Sequence, residues 1–229
     1  MTILFYVVNI LNMHTNVLNQ YSYNFYEDTC KLLKNSGFYP NRILDIGANA
    51  CETADVMRQF WPTSDMLLIE GNCDCEPLFK LKNYNYQIKL LGKENGVTTF
   101  YKTKWSPICS GNSIYKEKSN VYDGDMLVTE TLPIYKLDDV VMGTYDLIKI
   151  DTQGSEFDII QGGINTFSKA KVVICEVALV DANHGGCKKE DVINVLTKEL
   201  KFNYIRVIES VLSADNKQIN YENLLFIKP

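Results

Sequence analysis

Four short apolar runs that each carry a carboxylate near their end constrain this chain more than anything else in it. RILDI (42–46) carries Asp45, DMLLIEG (65–71) carries Glu70, YDLIKIDTQG (145–154) carries Asp151 and KVVICEVALV (171–180) carries Glu176. Such runs between turn signals read as strands, and strands apolar on both sides belong in a parallel sheet covered on both faces. YQIKLLG (86–92) reads as a further strand of the same kind. Helical periodicity fills the gaps. Residues 15–36 read as a helix stopped at Gly37 and Pro40, and Glu52 to Trp61 as a helix stopped by Pro62. EPLFKLK (76–82) places Pro77 in a first helical turn. SEFDIIQGG (155–163) offers Ser155 as a cap, Asp158 as its S-x-x-D partner, and Gly162–Gly163 as a stop. KKEDVINVLTKEL (188–200) is amphipathic, and FNYIRVIES (202–210) and ENLLFIKP (222–229) close the chain as an antiparallel pair of strands.

This alternation predicts an α/β fold, a mostly parallel sheet with helices on both faces. From 93 to 140 the pattern changes. GVTTFYK and DMLVTETLPIYKL are half-exposed β patterns separated by a polar stretch at 106–125. They read as inserted short strands and loop, or as an extension of the sheet. The expected organisation is a leader and helix over 1–40 packed on one domain over 41–229.

Composition narrows the partners. The net charge of −5 comes without a basic stripe, which argues against nucleic acid, whose binders draw most of their affinity from phosphate contacts. The seven cysteines are scattered, and only Cys73 and Cys75 stand close, with no second pair at metal-ligand spacing. That usage reads as reduced thiols in a cytoplasmic protein with no structural metal. The opening MTILFYVVNILNM is interrupted by Asn9 and Asn12. It is shorter than the roughly 20 apolar residues of a membrane span and lacks the basic start and cleavage site of a signal peptide. It is expected to pack on the domain.

Open α/β sheets bind ligands at the carboxyl ends of their strands, where the strand order reverses. That rim here carries Asp45, Gly47, Ala48 and Asn49 after the first strand, Glu70 after the second, Leu91 and Gly92 after the third, then Asp151 and Glu176. Like charges gathered on one rim need a cation or hydrogen-bond donors among them. A dinucleotide would need G-x-G-x-x-G. One glycine stands here beside Asp45, a carboxylate that opposes a pyrophosphate. S-adenosylmethionine carries an ammonium and a sulfonium and no phosphate. Glu70, about 25 residues after Asp45, can accept hydrogen bonds from ribose hydroxyls. Gly47 lets the backbone pass close to a ligand.

The stretches ILDIGAN (43–49), LLIEGN (67–72), GNSIYKE (111–117), LIKIDTQGSEFDIIQGG (147–163), CEVALVDAN (175–183) and the terminal LLFIKP resemble the FkbM family of S-adenosylmethionine-dependent methyltransferases over roughly residues 40–229. The resemblance implies a Rossmann-like sheet of seven strands with the last antiparallel. It also implies a donor site at Asp45, Gly47, Ala48, Asn49, Ala50, Glu70, Gly71, Asn72, Leu91, Ser113 and Asp151. Two departures stand out. Ala50-Cys51 occupies the place where the family pattern has a glycine two residues after D-x-G-A-N. A cysteine at positive φ costs about 1–2 kcal/mol, whereas one facing the helix fits as a small apolar residue. Asn220 and Asn223 lie near where the family often carries an acidic residue.

Methyl transfer to a hydroxyl needs an aligned acceptor and a base. His184, in VDANHGG, is the expected base, since the other histidine, His14, lies in the leader. Asp151, Glu156 and Glu176 flank the same rim, and Asp151 with Glu176 would suit a Mg²⁺ ion, although no metal is required. Asn112 and Ser113 are expected to cover the donor or touch the acceptor. Tyr101, Trp105 and Tyr115 would stack on a flat acceptor or pack in the inserted strands. The expected activity is O-methylation of a hydroxyl on a sugar, a glycan or a small natural-product-like molecule. An N-methyltransferase of the same fold and a silent interaction module decayed at Cys51 are the alternatives. Acceptor identity and oligomeric state are not legible.

Overall fold

A computed structural model describes residues 25–212 and 218–229 of the chain. The expected packing of the leader, His14 and the first part of the helix over 15–36 lie outside the described residues. Helix α1 (Phe25–Asn35) is the described remainder of that helix.

The main sheet has seven strands in the order β3-β2-β1-β7-β8-β10-β9. Strands β1 (Arg42–Ile46), β2 (Asp65–Glu70), β3 (Asn85–Ile88), β7 (Leu147–Ile150) and β8 (Val172–Ala178) run parallel, while β10 (Ile219–Ile227) is antiparallel between β8 and β9 (Asn203–Leu212). The chain steps outward from β1 to β3 and then returns to lay β7 beside β1, pairing Leu44 with Ile148. The strand order therefore reverses between β1 and β7, and the connections leave that point in opposite directions.

Alternation along the strands feeds two cores. Leu44, Ile46, Ile148, Ile150, Val173 and Cys175 face one core, with α4 (Leu137–Val140), α5 (Glu156–Gly162), α6 (Ile164–Lys169) and α7 (Lys189–Asn194). Ile43, Leu147, Val172 and Ile174 face the other, with α1, α2 (Glu52–Phe60) and α3 (Glu76–Leu81). Among the described residues no helix is long and apolar enough to cross a membrane.

The structure revises two local expectations. The strand read over 86–92 is two strands: the N–H of Lys89 makes a last bond to the Glu70 carbonyl (2.8 Å), and Leu90–Gly92 (β4) then leaves the sheet. Strand β4 pairs with β6 (Leu127–Lys136), which also pairs with β5 (Gly96–Thr103), so the inserted segment is a separate three-stranded sheet. Ser155 makes no side-chain cap. Its hydroxyl lies 2.9 Å from Thr152 Oγ1, and the carboxylate of Glu156 takes the amides of Thr152 (2.7 Å) and Gly154 (3.0 Å) instead. The cause is the left-handed pair Gln153 (φ +56°) and Gly154 (φ +105°), which turns those amides toward Glu156. The helix ends at Gly162 with Gly163 as its C-cap, as expected, and α6 begins directly after.

Gly162 brings α5 against the small sheet. A Cβ there would lie 2.1 Å from the Gly92 carbonyl oxygen, closer than any packed contact. Gly162→Ala is expected to cost about 2 kcal/mol or more, the scale of overpacking against backbone. Urea unfolding of the variant beside the parent chain measures it.

Candidate functional site

The reversal between β1 and β7 opens into a cleft of about 670 Å³. Its floor is the turn after β1. Gly47 (φ +74°) crosses the end of β7 so closely that a Cβ would lie 1.7 Å from the Asp151 carbonyl oxygen, and its N–H donates to the Ile69 carbonyl (2.9 Å). Only glycine satisfies both the conformation and the space. Glu70 ties the two neighbouring turns together: Oε2 accepts from the Asn49 N–H (2.9 Å) and Oε1 from the Asn72 N–H (2.8 Å). Burial raises the pKa of the Glu70 carboxyl above the ordinary carboxylate value, against the pull of these amides.

Of the donor residues expected from the sequence, Gly47, Asn49, Glu70, Gly71, Asn72, Leu91, Ser113 and Asp151 line this cleft. Asp45, Ala48 and Ala50 do not. Ala48 is buried in the core on the α1–α3 side, and the Ala50 carbonyl accepts from Lys82 Nζ (3.1 Å). Sequence reading missed Leu90 and Phe100, which supply an apolar wall from the small sheet, and Gln153 on the rim. No periodicity in the inserted segment says against what it packs.

Asp45 is fully buried beneath the turn, where its charge meets a cation rather than a ligand. Lys149, the one charged side chain within the strand LIKI, places Nζ 3.3 Å from Asp45 Oδ1, 3.6 Å from Asp151 Oδ2 and 2.9 Å from the Gly47 carbonyl, to which it donates. Burial alone would strip Lys149 of its proton, but Asp45 and Asp151 hold its pKa well above the ordinary lysine range. Lys149→Met leaves Asp45 buried without a counter-charge, which costs about 3–5 kcal/mol. Adding Asp45→Leu removes the stranded charge and is expected to recover part of that loss. A double-mutant cycle by denaturant unfolding measures the coupling.

Beyond Asp151 the rim is acidic. Gln153 Nε2 donates to Asp151 Oδ1 (2.9 Å) and to Glu176 Oε2 (2.6 Å). Burial, and then the neighbouring Asp151 carboxyl with its hydrogen bond, push Glu176 well above the ordinary carboxylate range. Asn223 pairs with Glu176 across the strands, and its Nδ2 donates to Glu209 (2.9 Å). A buried asparagine thus holds an acidic residue of the next strand on the same rim.

His184 is not part of this group. It is exposed on the loop after β8, its N–H donates to the Lys116 carbonyl (2.9 Å), and it does not line the cleft. Ser113 spans the cleft instead, its hydroxyl donating to the carbonyls of Thr152 (3.1 Å) and Gln153 (2.9 Å). Asn112 Oδ1 accepts from Tyr122 Oη (3.0 Å). Tyr115 donates to Asp158 (2.5 Å), while Trp105 is exposed. Among the described residues no group of three His, Cys, Asp or Glu side chains could hold a metal ion.

Cys51 meets both conditions weighed for it. Its backbone is left-handed (φ +67°, ψ 17°), directly before α2, and its side chain is fully buried in the core. Burial raises the thiol pKa to about 11, so it stays protonated. The lost Sγ contacts and the relieved strain nearly cancel in Cys51→Gly, which is expected to change stability by less than about 1 kcal/mol. Cys51→Val puts a β-branched residue where it is an outlier and is expected to cost about 2 kcal/mol or more. Thermal or urea unfolding of both variants separates the two.

Comparison with known proteins matches residues 45–205, more than two thirds of the chain, to the family model described as the methyltransferase FkbM domain. No curated protein matches. Among solved structures, the chain is similar to a methyltransferase FkbM from Methylobacillus flagellatus KT, at 10% identity and a TM-score of 0.50, over 80% of this chain and 43% of that one. It thus spans less than half the length of that protein. It is also similar to a candidate O-methyltransferase from Klebsiella pneumoniae, at 10% identity and a TM-score of 0.51, over 100% of this chain and 91% of that one. At these identities the likeness is one of fold.

Proposed function

This chain belongs to the FkbM methyltransferase family, and from that premise we propose that it uses S-adenosylmethionine to methylate a hydroxyl of a sugar, a glycan or a small natural-product-like molecule. The chemistry of the cleft fits this donor. Its walls at Ile69, Leu90, Leu91 and Phe100 suit a flat base, and Glu70 keeps lone pairs for ribose hydroxyls after accepting two amides. Lys89 is the one cation among the described lining residues, and its Nζ sits over the Tyr135 ring (4.7 Å), so nothing there cradles phosphates. When bound, S-adenosylmethionine supplies an electrophilic methyl group on a positively charged sulfur.

The observation that carries the choice of a hydroxyl is the Asp151–Glu176 pair. A hydroxyl must lose a proton as it takes a methyl group, and a carboxyl with raised proton affinity beside the cleft is the base that step needs. In this reading Asp151, which lines the cleft, meets the acceptor, and Glu176 stands behind it. Gln153 holds the two in register, and Asn112 and Ser113 close the cleft from the small sheet. Alignment of the acceptor oxygen supplies much of the remaining rate.

Calorimetric titration with S-adenosylmethionine and its demethylated product tests the donor site. Both are expected to bind saturably, and Glu70→Gln is expected to weaken both by about ten- to a hundredfold, the loss of hydrogen bonds to a charged acceptor. Full affinity in Glu70→Gln would remove the cleft as the donor site. Incubation with labelled donor and neutral glycosides then reads the acceptor. Label recovered on nitrogen of an amine substrate, with none on oxygen, would replace O-methylation with N-methylation.

A further inference from the structure

The carboxyl pair has a property that the proposed reaction does not require. Asp151 (2.9 Å) and Glu176 (2.6 Å) both accept from the same amide nitrogen, that of Gln153, which holds the two carboxyl groups side by side. Gln153 adopts a left-handed backbone to do this (φ +56°), a conformation that persists only where its surroundings enforce it. Two carboxylates this close do not both stay ionised without a counter-charge. The nearest cation, Lys149, is 3.6 Å from Asp151 but already engaged by Asp45. The other groups facing Glu176 add negative charge or none: Glu156 from α5, Tyr26 from α1 and Tyr221 from β10, with Glu209 of β9 held beside them by Asn223. The free pair therefore holds one proton between its two carboxyl groups and carries a single negative charge.

We propose that binding of the cationic donor drives this proton off the Asp151–Glu176 pair into solvent, and that the pair then takes back one proton from the acceptor hydroxyl. The proposal rests on the donor reading above. A positive charge docked beside the pair favours the ionised form of Glu176. The balance closes at each stage. The free pocket carries one negative charge on the pair. With the donor bound it carries two negative charges and one positive. As the acceptor O–H bond breaks, its proton goes to the pair, the oxygen–methyl bond forms, and the electrons of the carbon–sulfur bond return to sulfur, leaving a neutral thioether. One negative charge again remains on the pair. The buried rim thus never accumulates a second uncompensated charge, and the base is ionised only when a donor is present to use it. Donor affinity should accordingly rise with pH through the range in which the pair titrates and level off above it, while affinity for the demethylated product should not.

Isothermal titration in buffers of different ionisation enthalpy counts the protons. With the full chain, about one proton is expected to leave for each S-adenosylmethionine bound, and about none for the demethylated product, whose sulfur is neutral. In Glu176→Gln, which keeps the shape of the protonated carboxyl, the donor is expected to bind with no proton released. Equal proton counts for donor and product, or a count for the donor unchanged in Glu176→Gln, would overturn the proposal and leave the donor reading standing. Absence of binding by either ligand would overturn both. If the variant does not fold, the donor–product comparison in the parent chain decides alone.

Discussion

A single ammonium buried under the sheet edge holds the arrangement of the site. Lys149 reaches from β7 to the carbonyl of Gly47, to Asp45 and to Asp151. Those are the turn that floors the cleft, the buried acid beneath it and the acid at its rim. Removing a charge from water is costly, and the attraction of its partners offsets that cost only if the geometry is held. Lys149 meets this condition with one hydrogen bond and two carboxylates, and both turns at the strand reversal inherit its position. Gly47 can then lie against the Asp151 carbonyl, because nothing at that point has a side chain to displace it. Glu70 extends the same logic to the neighbouring strand by tying the loops after β1 and β2 through their amides.

Much of this was legible before any coordinates. The apolar runs with terminal carboxylates are strands at the predicted places, and the closing antiparallel pair is present. The family-like stretch LIKIDTQGSEFDIIQGG turns where the cleft opens, at Asp151 to Ser155. Some expected residues lie elsewhere than the sequence suggested. Asp45 looked like a charge aimed at a ligand because a sequence does not show that Lys149, more than a hundred residues later, is its register partner. His184 was expected as the base because it is a histidine on the loop after β8, and the structure places it exposed and outside the lining of the cleft. Ser155 matched a capping pattern, yet the left-handed turn before it points the free amides at Glu156.

The inserted segment shows a related limit. Its half-exposed β pattern was correctly read as strands, but not as a wall of the cleft. Strand β4 begins as a continuation of β3 and departs only after Lys89 has bonded back to Glu70. That departure brings Leu90 and Leu91 across the strand ends, and β5 adds Phe100. The apolar side of the site is therefore built by a sheet that the catalytic scaffold does not need for its own closure. Gly162, in the helix that packs on β4 in the same core, sets how closely that sheet can approach.

The distribution of charge restricts what can sit opposite this wall. Asp151, Glu176 and Glu209 gather on one side of the site, and the single buried cation near them is already paired with Asp45. An acceptor carrying phosphate or carboxylate would meet repulsion in a region with little water to screen it. A neutral polyol would meet none. A free amine would be attracted still more strongly, but held as an ammonium by those same carboxylates it would have no lone pair to methylate. The proposed O-methylation accords with this field, which would draw an amine in and also keep it protonated.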